Sequence, residues 1–130
     1  MVPFRTALES GKTQLGLCIM YPAPGIIERI GGDWDWIWID GQHGQIGYQE
    51  TLALVRAADS VQRPSFARVP GHEYGSIGMA LDTGATGVIV PMVETPEQAK
   101  ELVYAAKFPP LGGRSYGGRR LCDIEGRLYC

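Results

Sequence analysis

Four times before Lys107, a short apolar run stopped by glycine or proline gives way to a segment with apolar residues at helical spacing. A new unit begins about every 25 residues. Leu15 to Ile19 is the first run, closed by Tyr21-Pro22, and Pro24 starts a helix that Gly31-Gly32 stops. Trp34 to Ile39 is the second run. It is apolar on nearly both faces, as a strand covered on both sides needs, and Tyr48, Leu52, Val55 and Asp59 then step at helical spacing with Leu54 and Ala58 widening the stripe. Ser65 to Val69 is the third strand, and Ile77, Ala80 and Leu81 mark the helix that runs to Gly84, a C-terminal glycine. Gly87 to Val90 is the fourth strand. Thr95 with Gln98 forms a capping box, Pro96 suits the first helical position, and Ala99, Leu102, Val103 and Ala106 make the inward stripe. Beyond Pro109-Pro110 the chain turns glycine- and arginine-rich, and residues 108–130 read as an excursion or tail with no clear element.

Strand-helix units repeated at this spacing require a parallel sheet, because each right-handed crossover is filled by its helix. The class is α/β. A doubly wound sheet closes with four or five strands, whereas a (β/α)8 barrel needs about 250 residues, so the choice depends on whether 130 residues are the whole domain. No GxGxxG opens the first helix, which argues against a dinucleotide-binding sheet. Leu121 to Cys130 supplies neither a closing strand nor an amphipathic helix, so the chain reads as a single partial domain.

The charge balance removes whole classes of partner. Twelve basic against 14 acidic residues give a formal charge of -2, with no electrostatic footprint for nucleic acid or an anionic membrane. No apolar run approaches the roughly 18 residues of a membrane span, and a cytoplasmic setting is the expectation. Cys18, Cys122 and Cys130 form neither a disulfide framework nor a metal knuckle.

In either α/β architecture, functional groups gather on the loops after the carboxyl ends of strands. Strand two delivers Asp40-Gly41-Gln42-His43, strand three Arg68, and strand four Pro91, Met92 and Glu94. His43 suits a general base near neutral pH, the alternative being a loop histidine packed on Trp38 or Tyr48. Arg68 lies in an otherwise buried strand and needs a carboxylate, either a structural one such as Asp40 or that of a substrate. Its fork suits an α-keto acid. Asp82 opposes the dipole of its helix, Glu94 favours the helix that follows and has the chemistry of a metal carboxylate, and His72 reads as a surface loop residue. Gly112 to Gly118, with Arg114, Arg119 and Arg120, reads as an anion cradle or as a flexible excursion.

Five segments carry a family likeness in order and spacing: Asp33 to His43 (DWDWIWIDGQH), Phe66 to Pro70 (FARVP), Leu81 to Ala85 (LDTGA), Val90 to Ala99 (VPMVETPEQA) and Phe108 to Arg114 (FPPLGGR). The chain resembles the HpcH/HpaI aldolase/citrate lyase family of class II pyruvate aldolases. The resemblance implies a (β/α)8 TIM-barrel type fold, of which about the first four βα units are present. It implies cleavage of a 4-hydroxy-2-oxo acid to pyruvate and an aldehyde, assisted by a divalent ion (Mg2+, Mn2+ or Co2+) that stabilises the enolate. By motif, His43 resembles the family's proton acceptor, Arg68 its enolate stabiliser, and Asp82 the aspartate that raises the histidine's basicity. Asp40 is the nearer partner for His43 unless Asp82 reaches a neighbouring subunit of the homo-oligomer that the family forms. Asp40, Gln42 and Arg68 are the expected substrate-binding set.

The chain departs from the family pattern twice. Gln42 stands where the family carries an acidic residue, which removes a charge beside the base and opens the substrate subclass. The family's metal ligands, a Glu and an Asp after strands five and six, have no matching positions up to Cys130. Two other readings stand beside the aldolase: a non-catalytic half-barrel that self-associates to cover its sheet edge, and a related lyase acting on a CoA thioester. The aldolase reading requires His43 and Arg68 at the same rim of the sheet.

Overall fold

The computed structural model describes residues 4–117 and 119–125. Its elements are α1 (Phe4–Glu9), β1 (Gly16–Ile19), α2 (Pro24–Ile30), β2 (Trp36–Asp40), α3 (Tyr48–Ser60), β3 (Ser65–Arg68), α4 (Tyr74–Asp82), β4 (Gly87–Ile89), α5 (Pro96–Ala106) and α6 (Arg119–Glu125), with one 3-10 turn at Gly31–Asp33. The strands are parallel and ordered β1-β2-β3-β4. A doubly wound sheet reverses its order at a switch point, whereas consecutive neighbours are what successive units of a (β/α)8 barrel give. The order therefore decides between the two architectures that the sequence leaves open.

Strand alternation separates two faces. On one, Ile37, Ile39, Ala67 and Val69 pack with Ile27 of α2, Leu54 and Val55 of α3, Ile77 of α4 and Ala105 of α5 in one buried cluster. The opposite face carries Trp36, Trp38 and Asp40 of β2 and Phe66 and Arg68 of β3, in the register Trp38 to Phe66 and Asp40 to Arg68. This corrects the expectation that β2 is covered alike on both sides. Ile37 and Ile39 are fully buried under helices, while Trp36 and Trp38 are half-buried among other aromatic rings. Barrel curvature supplies the reason, since the helix-free face is the interior of a barrel.

The turn chemistry holds where it was expected. Thr95 Oγ1 accepts from the Gln98 backbone N–H at 3.2 Å, and Gln98 Oε1 accepts from Thr95 N–H at 3.0 Å. Gly84 has φ +91°, and a Cβ there would run into the Arg120 guanidinium packed over it.

Both ends differ from expectation. Residues 4–9, which show no periodic signal, form α1, whose Phe4 ring lies 4.9 Å from Phe66 and 6.1 Å from Trp36. The stretch after Pro110 is no unstructured excursion within the described residues. Tyr74 Oη donates to Gly113 O at 2.8 Å and accepts from Ser115 N–H at 2.6 Å, and Arg114 pairs with Asp82. Residues 119–125, read as a tail with no element, form α6: Leu121 is buried, and Arg120 reaches Asp59 of α3 at 2.6 Å. These short elements exist through docking of one or two side chains, which leaves no repeat to detect in sequence. Gly118, the Arg119 and Glu125 side chains and residues 126–130 with Cys130 lie outside the described set. Cys18 and Cys122 carry no disulfide. Among the described residues no helix is long and apolar enough to cross a membrane.

Candidate functional site

β2 ends in Asp40, and the chain must then turn at once to enter α3. Gly41 N–H donates to Arg68 O at 2.9 Å, Gly44 N–H to Asp40 O at 3.0 Å, and Gln45 N–H to Met20 O at 2.8 Å. A Cβ on Gly41 would lie 2.6 Å from Arg68 O, and one on Gly44 would collide with the carbonyl oxygens of Asp40 and Met20. Only glycine fits these two positions, so the loop carrying His43 is pulled tight against the ends of β1 and β3.

The Asp40 carboxylate is the hub of the rim. Its Oδ1 accepts the backbone N–H groups of Gln42 and His43, each at 3.0 Å. The same oxygen accepts Arg68 Nε–H at 2.9 Å, and Oδ2 takes a short hydrogen bond from Arg68 Nη2. The Asp40 side chain is 3% exposed and that of Arg68 18%. A charge so buried requires such a fork, which settles the question of Arg68's partner in favour of Asp40. The Arg68 fork is the first cause holding the Asp40 carboxyl at about 2, below its usual 3.8; burial opposes the shift, and the His43 and Gln42 N–H groups add to it. The Arg68 guanidinium is pushed up in turn, chiefly by Asp40.

His43, exposed at this rim, is tied to Asp40 through its backbone and not through its ring. The structure thus brings Asp40, Gln42, His43 and Arg68 together at the carboxyl ends of β2 and β3. Asp82 is not with them. It closes α4 at the end away from β3, and a helix of nine residues spans roughly 13 Å. Its Oδ1 accepts from Arg114 Nη2 at 2.6 Å. The Arg114 guanidinium, expected at an anion cradle, is buried in that pair and lies 4.6 Å from the Phe108 ring centroid. Glu94 is exposed, and its N–H shares Gln98 Oε1 with Thr95.

Two features of the rim have only a faint sequence signal. His72, read as a surface loop residue, has Nε2 2.7 Å from Pro91 O and so ties the β3 and β4 loops together. Trp38 lies under Arg68, whose Cζ is 5.1 Å from the indole centroid. Strand alternation puts Trp38 on the same face as Asp40, and that periodicity is the signal that finds it. A cavity of about 200 Å3 opens beside the rim, between α3 and α4, lined by Gly41, Arg68 and Pro70 together with Tyr48, Thr51 and Met79 among others and not by His43. Among the described residues no three His, Cys, Asp or Glu side chains form a group able to hold a metal ion. The divalent ion implied by the resemblance therefore finds no fitting donor set among them.

The family model described as HpcH/HpaI aldolase/citrate lyase matches residues 23–127. A 4-hydroxy-2-oxovalerate aldolase of Novosphingobium aromaticivorans is 43% identical over 119 residues, covering 90% of this chain and 45% of the relative. A hydroxypyruvate/pyruvate aldolase of Deinococcus radiodurans is 37% identical over 88% of this chain and 42% of its own. Among solved structures, an HpcH/HpaI aldolase/citrate lyase family protein from Burkholderia cenocepacia J2315 superposes with TM-score 0.83 at 28% identity, over 96% of this chain and 52% of that one. Macrophomate synthase superposes with TM-score 0.75 at 30% identity, over 88% of this chain and 40% of that one. The chain spans about half the length of the relatives that it matches.

Proposed function

The chain belongs to the HpcH/HpaI aldolase/citrate lyase family and has the TIM-barrel type α/β fold of that family, and from this premise we propose that it supplies the base and the enolate-stabilising cation of a pyruvate aldolase. The observation that carries the reading is the single Asp40 oxygen shared by Arg68 Nε–H and the His43 backbone N–H. It sets the imidazole-bearing loop and the guanidinium at one rim.

In the cleavage direction, His43 accepts the proton of the C4 hydroxyl of a 4-hydroxy-2-oxo acid. The C3–C4 bond breaks, C4 leaves as the aldehyde carbonyl, and the electron pair moves through C3 to the C2 oxygen, giving the pyruvate enolate. The Arg68 N–H groups not engaged by Asp40 donate to that oxygen, where negative charge grows. The proton held by His43 is returned to C3 through solvent, which completes pyruvate and restores the base. Preorganisation is what the rim adds, because Asp40 holds one edge of the Arg68 guanidinium in place as charge develops. Gln42 places a neutral side chain beside the base. Asp82 serves the Arg114 segment within this chain, and any part it plays in raising the basicity of a histidine belongs to a neighbouring subunit of a homo-oligomer. The substrates are small oxo acids and aldehydes rather than nucleic acid or membrane, in a cytoplasmic setting.

The test is His43→Ala in the full-length protein, with pyruvate release from a 4-hydroxy-2-oxo acid followed beside circular dichroism. We expect a fall of 10² to 10⁴ in kcat, the range of a lost general base, with the spectrum unchanged. Undiminished cleavage by the variant removes His43 from the chemistry. The self-associating half-barrel is favoured by β1 and β4, which end the sheet without a further strand among the described residues. A stable assembly with no turnover of any oxo acid supports that reading instead.

A further inference from the structure

We propose that Trp38 is a positioning residue for Arg68: its indole forms the floor on which the guanidinium lies, and so sets the direction of the N–H groups that Asp40 does not occupy. The inference rests on the aldolase reading for its consequence in catalysis, though not for the contact itself. A carboxylate fork holds a guanidinium along one edge and leaves it free to tilt about that edge. A ring face beneath removes this freedom. Arg68 has both supports, the fork to Asp40 and the Trp38 ring 5.1 Å below Cζ.

The register makes the arrangement a property of the sheet. Asp40 stands opposite Arg68 and Trp38 opposite Phe66, so Trp38 lies one step down the inner face and diagonal to Arg68, within reach of a long side chain. The indole is itself held from below. It stacks on Trp36 at 6.2 Å and 16°, Trp36 meets Phe66 edge-on at 5.7 Å, and Phe4 of α1 abuts Phe66. Gly16 stands opposite Trp36 on β1, where a Cβ would run into the indole, so the column exists because that position is glycine. Trp38 Nε1 is buried without a hydrogen-bond partner among the described residues. No polar contact of its own explains why the ring sits there, and its contacts with the Trp36 ring and the Arg68 guanidinium account for its place.

The experiment compares Trp38→Phe, Trp38→Leu and a chain with fluorinated tryptophan placed at position 38 alone, all in the full-length protein. Two readouts are taken: kcat and KM for pyruvate release from a 4-hydroxy-2-oxo acid, and the nitrogen-15 resonance and hydrogen exchange of Arg68 Nε–H. In Trp38→Leu we expect kcat to fall about ten-fold with KM within two-fold, and Arg68 Nε–H to lose its ring-current shift and exchange about ten-fold faster. Trp38→Phe keeps a ring face and stays within about three-fold of the parent. Stepwise fluorination keeps the shape, weakens the face electrostatically, and accelerates the exchange in order. That series decides the matter even where Trp38→Leu fails to fold. Exchange at Arg68 that is indifferent to fluorination, or a Trp38→Leu enzyme with parental kcat, overturns the proposal. A parent protein that cleaves no oxo acid refutes the aldolase reading, while the resonance of Arg68 still answers for the contact.

Discussion

Replacing Asp40 with Asn leaves shape and volume almost unchanged and removes one charge, which makes it the sharpest probe of the rim. In the parent, the carboxylate accepts the Arg68 fork and two backbone N–H groups. In Asp40→Asn one amide oxygen remains for those N–H groups, while the amide NH2 faces a guanidinium that can only donate. Stripping the partner from a buried charge costs about 3 to 5 kcal/mol, and Arg68, at 18% side-chain exposure, recovers some hydration, so about 2 to 3 kcal/mol is expected at neutral pH. The acid limb gives an independent magnitude. The folded chain holds Asp40 near 2 against an ordinary 3.8, so the folded state binds fewer protons than the unfolded state between those values. The resulting stability, roughly 2 kcal/mol, is fully present above pH 3.8, declines as pH falls toward 2, and is gone below it. Urea unfolding of both proteins from pH 7 downward measures the gap directly. It should be constant to about pH 4 and then close. A gap below about 0.5 kcal/mol at pH 7, or one that stays the same at pH 2.5, refutes the hub.

Arg68→Lys keeps the charge but loses the fork and the flat contact with Trp38; cleavage should drop by about two orders of magnitude and stability by about 1 to 2 kcal/mol, read by steady-state kinetics and urea unfolding. Gly44→Ala has no room between the Asp40 and Met20 carbonyls, so the His43 loop must shift. Stability should fall by about 1 to 3 kcal/mol and activity with it, and a parental melting curve would show that the loop yields freely. Asp82→Asn loosens the segment that Arg114 and Tyr74 pin to α4, and amide exchange at Gly113 and Arg114 should quicken while that at Gln42 and His43 does not.

Much of this molecule is written in its local pattern. The proline at the start of α2, the Thr95 to Gln98 box of α5, the glycine after α4 and the four apolar runs each act within a few residues, so strand and helix positions follow from the chain read alone. The candidate rim follows too, since Asp40, Gln42, His43 and Arg68 all stand just where apolar strands stop. The sequence does not say which groups those residues grip. Arg68 meets Asp40 because β2 and β3 pair in one register, and a shift of one residue would turn Arg68 away from the face that Asp40 shares. Asp82 pairs with Arg114 across 32 residues of chain, and α1 and α6 form because Phe4 and Leu121 find places to dock. Strand periodicity is a local steric matter that composition and spacing express, whereas strand order, register and the choice of an ion's partner arise only when distant segments are brought side by side.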